Sequence, residues 1–132
     1  MEQNRQLVTW YRNNAKKATL DQLMDCKTKL VTSNFYLAEH LAGLKKDYNV
    51  CYFSRKIEFS KKKNELIKGG SSATKAESLA NEFNEDILRN EIENEGLAYQ
   101  FELFIKHCEN VANDIMQRIS VLKKEYESVK QS

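Results

Sequence analysis

The chain has 132 residues, a formal net charge of +2, charged side chains at 30% of positions and no proline. Its length fits one domain, and the even charge balance is far from that of a dedicated nucleic-acid binder. No apolar run approaches the roughly 20 residues needed to cross a bilayer.

The N-terminus, Met1-Glu2-Gln3-Asn4-Arg5, lacks a hydrophobic signal core, so a cytoplasmic protein without membrane contact is expected. Alanine, leucine, lysine and glutamate are common while glycine and valine are few, which favours helix over sheet. Cys26, Cys51 and Cys108 lie far apart with no CxxC pair. That pattern predicts reduced core thiols rather than a disulfide framework or a zinc site.

The first predicted element is an amphipathic helix over residues 2–17. Leu7, Trp10, Tyr11 and Ala15 form one face, and Arg5, Arg12, Lys16 and Lys17 lie around the other. A helix this short is marginal alone and must dock. Trp10, the only tryptophan, is its expected anchor.

Thr19-Leu20-Asp21-Gln22 is a capping box opening a second helix, predicted over residues 20–68. Leu23, Leu30, Leu37, Leu44 and Cys51 recur every seven residues, the spacing of a coiled-coil seam, and Lys27 and Asn34 interrupt the companion positions. Val31, Phe35 and Ala38 widen the apolar face toward that of a bundle helix. Beyond residue 51 the seam weakens, because Arg55 and Glu58 take core positions and Lys61-Lys62-Lys63 follows.

Residues 69–74 form the turn. Gly69 suits a left-handed residue just past the helix end, and Lys68 complements the negative end of the dipole. Thr74-Lys75-Ala76-Glu77 reads as a second capping box, with Ser71 and Ser72 as alternative caps. A third helix is then predicted over residues 75–130. Its seam is unbroken: Phe101, Ile105, Cys108, Ala112, Ile115, Ile119, Leu122, Tyr126 and Val129 alternate four and three apart. Leu97, Phe104 and Val111 add a second stripe. Gly96 interrupts the helix, which suggests a close approach or a bend.

The expected fold is all-α: a single domain spanning residues 1–132, built as a long antiparallel, coiled-coil-like hairpin braced by the N-terminal helix. If facing residue numbers sum to about 141, Leu44 faces Leu97, Leu37 faces Phe104, and Arg55 and Lys56 face Glu85 and Asp86. Residues 1–68 carry 14 basic and 7 acidic groups, and residues 69–132 carry 7 and 12, so the halves attract.

Enzymatic chemistry finds little footing. His40 and His107 belong to no HExxH or Glu-x-x-His pattern, and in the run Glu91, Glu93, Glu95 successive carboxylates lie on different helix faces. No cofactor is expected. Two non-enzymatic readings remain. The first is a helical interaction protein that forms a homo-oligomer or binds a helical partner, with Trp10, Leu97, Phe101, Phe104, Val111, Ile115 and Leu122 as interface candidates. The second is nucleic-acid contact through Arg55, Lys56, Lys61, Lys62, Lys63 and Lys68, interleaved with Tyr48, Tyr52, Phe53 and Phe59.

The stretch Tyr52-Phe53-Ser54-Arg55-Lys56, then Leu66, then Gly70-Ser71-Ser72-Ala73-Thr74-Lys75-Ala76-Glu77 resembles small all-helical proteins of tailed bacteriophages and prophages. There a Tyr-x-x-Arg-Lys helix leads through a Gly-x-Ser turn into an Ala-Glu helix. The resemblance implies a phage product inside the host cell. It implies no activity and transfers no functional residues.

Overall fold

A computed structural model describes residues 1–131. The described residues form four helices: α1 (Glu2–Asn14), α2 (Leu20–Lys68), α3 (Ala73–Phe83) and α4 (Glu85–Gln131). The fold is all-α, and α2 and α4 pack together as a helical hairpin. By its contacts the chain divides into two compact units. Unit 1 takes residues 1–40 and 101–132, and unit 2 is the contiguous segment 41–100.

Local chemistry sets each helix end. α1 stops at Asn14 rather than running to residue 17. The Asn14 side chain donates to the Trp10 carbonyl, while the amides of Lys17 and Ala18 both reach back to the Asn14 carbonyl. The Thr19 capping box forms as its sequence specifies. The Gln22 amide donates to Thr19 Oγ1 at 3.2 Å and the Thr19 amide to Gln22 Oε1 at 3.0 Å.

The turn after α2 is a Schellman motif. The Ser71 amide reaches the Leu66 carbonyl and the Gly70 amide the Ile67 carbonyl. The left-handed residue is therefore Gly70, at φ 99°, and not Gly69. Ser72, the alternative to Thr74, caps α3 by accepting from the Lys75 amide.

The predicted helix 75–130 is two helices. Asn84 breaks it at φ −92°, ψ 6°. Its side chain turns away from solvent and donates to the Arg55 carbonyl on α2 at 3.1 Å. Asparagine competes with helical hydrogen bonding through such contacts, and a bond to another helix settles the competition here.

Unit 1 holds the main apolar core. Leu23, Cys26 and Leu30 of α2 meet Cys108, Ala112, Ile115 and Ile119 of α4, and Val8 and Tyr11 of α1 close over them. Unit 2 is thinner in apolar volume. Its fully buried apolar positions are Ala76 and Ala80, with Ala98 nearly so.

Two glycines separate conformational need from accident. A Cβ at Gly96 meets nothing within 4 Å, so the expected close approach does not exist. Gly96→Ala is expected to raise stability by about 1 kcal/mol, the difference in helix propensity. Gly70→Ala is expected to lower it by about 1–2 kcal/mol, because an L-residue is strained at that φ. Urea denaturation followed by circular dichroism checks both signs.

Candidate functional site

Unit 2 contains the polar stretch where the seam fails. Arg55 on α2 forms a bidentate pair with Glu91 on α4. Its Nε meets Oε2 in a short contact, and Nη2 reaches Oε1 at 3.2 Å. Glu91 is only 6% exposed, so the arginine neutralises a carboxylate taken out of water. Tyr52 lies under the guanidinium at 5.5 Å, and Asn84 holds the Arg55 backbone carbonyl. One turn before Arg55, Cys51 receives Asn94 Nδ2 at 3.5 Å. Tyr48 lies beside Glu95, whose charge raises the phenol's proton affinity.

The helices meet in a shifted register there. His40 stacks near Phe101 at 4.8 Å, as the sum of 141 requires. Arg55, however, pairs with Glu91, and Cys51 with Asn94, four to five residues off that rule. Glu85 instead pairs with Arg89 on its own helix at 3.3 Å.

The basic candidates are largely engaged. Arg55 is held by Glu91. Lys56 lies over the Tyr52 ring and Lys63 over Phe59. Lys62 sits over Phe83 and 3.7 Å from Glu65. Lys61 lies at the edge of ion-pair range of Glu58, and Lys68 is exposed in the last turn of α2.

The interface candidates divide by burial. Ile115 is fully buried in the unit 1 core and has no surface to offer a partner. This corrects its assignment: the α4 seam around it, from Cys108 to Ile119, is buried in the core with α2 and α1, while Tyr126 and Val129 farther along are exposed. Trp10, Phe104, Val111 and Leu122 pack half-buried against the same core. Trp10 shares the docking of α1 with the more deeply buried Val8 and Tyr11. Phe101 is half-buried against His40, and Leu97 is exposed.

The exposed apolar surface lies elsewhere. On α2, Val50, Phe53 and Ile57 are 59%, 61% and 54% exposed. They follow each other at i, i+3 and i+7, half a turn from the inward-facing Tyr48 and Arg55, and form a ridge along the outer side of the helix. On α4, Leu88, Ile92 and Tyr99 form a second exposed ridge at similar spacing. In unit 1 a groove opens beside Asn34, lined by Val31, Phe35, Ala38 and Met116. The sequence shows the i, i+3, i+7 pattern of the α2 ridge, but the stronger heptad beside it obscures it.

Polar groups inside unit 1 were not legible as a set. Asn4 is fully buried, donating to Cys108 Sγ at 3.6 Å and accepting a short contact from the Ser33 hydroxyl. The Tyr11 hydroxyl donates to Asp114 Oδ2 at 2.5 Å. Burial, then the Asp114 carboxylate, pushes this phenol up to about 12. Burial likewise raises the Cys26 and Cys108 thiols, which disfavours the thiolates that oxidation and alkylation need. Among the described residues, no group of three or more His, Cys, Asp or Glu side chains is placed to hold a metal.

No family model matches the chain, and no match is found among curated proteins or solved structures.

Two outcomes test this geometry. Glu91→Ala leaves Arg55 without its partner and is expected to cost about 2–3 kcal/mol, while Arg55→Met with Glu91→Leu restores much of that loss. A double-mutant cycle by chemical denaturation measures both. Tyr11→Phe is expected to cost about 1.5 kcal/mol at neutral pH through its lost bond to Asp114. The Tyr11 pKa is higher folded than unfolded, so its contribution is intact below pH 10 and fades as pH rises toward 12. The stability gap between wild type and Tyr11→Phe should narrow across that window.

Proposed function

We propose that this chain is a non-enzymatic helical interaction protein that works by binding protein through its exposed apolar ridges. The observation that carries the reading is the α2 ridge, where three large apolar side chains in sequence register stand more than half exposed. Scattered exposed hydrophobics are ordinary, but a contiguous ridge marks an interaction surface.

Coiled-coil-like association in a bacterial cytoplasm, as a phage or prophage product, belongs to the same proposal. It draws on the resemblance of residues 52–77.

Nucleic-acid binding is the lesser reading. Of its candidate cations, Arg55 is held by Glu91, and Lys62 lies by Glu65 and over the Phe83 ring.

A photo-crosslinking side chain placed at Phe53, with Gln117 as an exposed control, tests the proposal in purified protein and in bacterial cell extract. Protein adducts at position 53 well above those at 117 are expected. Equal, background yields at both positions would remove the basis for the reading.

A further inference from the structure

We infer that the partner of the α2 ridge is a second copy of this chain, presenting its α4 ridge. This rests on the reading of the chain as an interaction protein and names the partner at the same surface.

The argument begins with charge inside unit 2. Its α2 segment, residues 41–68, carries eight basic and three acidic side chains, a net of +5. Residues 69–100 carry two basic and seven acidic, a net of −5. The buried Arg55–Glu91 pair removes only one charge from each total. The unit is therefore neutral as a whole but polarised, with a basic helix on one side and acidic helices on the other.

Each side carries its own exposed apolar ridge. On α2 the line runs Lys46, Val50, Phe53, Ile57 and reaches Lys61 a turn later. On α4 it runs Glu85, Leu88, Ile92, Glu95, Tyr99, at alternating steps of three and four. Lys46, Lys61, Glu85 and Glu95 are all exposed. Lys46 to Ile57 on α2 and Glu85 to Tyr99 on α4 have the heptad spacing of a helix-packing seam, and the charges of the two lines are opposite.

Neither ridge can satisfy the other within one molecule. The α2 ridge lies on the far side of the helix from Arg55, and the α4 ridge lies off the side of Glu91, so the two cannot meet across the contact that Arg55 and Glu91 make. A copy of the same chain supplies the missing half. Apolar side chains meet apolar side chains, lysines meet glutamates, and pairing of like ridges is opposed by like charge. If each copy's two ridges engage those of one other copy reciprocally, the pair closes as a two-fold dimer; if they engage different neighbours, the contact is heterologous and the rotation between copies decides whether it closes into a ring.

The test is a charge exchange read by light scattering after size exclusion, at several concentrations and in low salt. One variant carries Lys46→Glu and Lys61→Glu, and the other Glu85→Lys and Glu95→Lys. All four sites are exposed, and circular dichroism confirms that each variant is folded. The wild type is expected to associate with rising concentration, and each variant alone to do so about tenfold more weakly or worse. An equimolar mixture of the two variants should regain association, because each reversed ridge then finds its complement. A merely structural effect of the substitutions would not be repaired by mixing.

Association that survives both reversals, fails to return on mixing, or disappears on nuclease treatment overturns the inference. A monomeric wild type overturns it too. If the Phe53 crosslinker then captures a different protein, the interaction reading stands and only the self-partner is lost. If it captures nothing above the Gln117 control, both fail.

Discussion

Leu23, Leu30, Cys108 and Ile115 are wholly removed from water, and α1 makes that possible. Two helices side by side bury one strip each and leave their flanks wet. Val8 and Tyr11 cover one flank of the α2–α4 pair in unit 1 and turn a strip into a core. Burying each large apolar side chain contributes about 1.5–3 kcal/mol, enough to order a 13-residue helix that would be marginal alone. Asn4 then fixes where α1 sits, because its buried amide must reach both Ser33 and Cys108. The position of α1 is thus set by polar geometry and its attachment by apolar area.

Unit 2 solves the same problem with different means. Its buried apolar side chains are alanines, so specific polar contacts take over the role that volume plays in unit 1. Arg55 is central to them: its guanidinium holds Glu91, its ring contact is Tyr52, and its carbonyl is the acceptor for Asn84. One residue thereby ties α2 to α4 and stabilises the break that starts α4. Large apolar groups that would fill a thicker core instead face outward on α2 and α4, which is why the functional reading rests on them.

The features legible in the sequence were those governed by short-range rules. The bounds of α2, the Thr19 capping box and the all-α hairpin follow from heptad spacing, capping chemistry and the absence of proline. The features that escaped depend on contacts across helices. The Asn84 break follows from a bond to a carbonyl 29 residues away. The shift in register at Arg55 follows from one carboxylate being buried rather than another. Ile115 was named an interface candidate, and it is buried within the chain, because a seam pattern identifies a packed face but not the helix that packs on it. The candidate site was half visible: its residues were noted as a polar, aromatic stretch, yet the ridge pointing outward was masked by the seam pointing inward.

The division into units also bears on the order in which the chain folds. Unit 2 is one continuous stretch, while unit 1 is assembled from two segments separated by 60 residues. Closing a loop that long is opposed by chain entropy, and contacts near in sequence form before those far apart. The Schellman turn at Gly70 and the Ser72 cap are wholly local. Once that turn is made, His40 and Phe101 are no longer the ends of a free coil, so the entropy that opposes closing the unit 1 core falls.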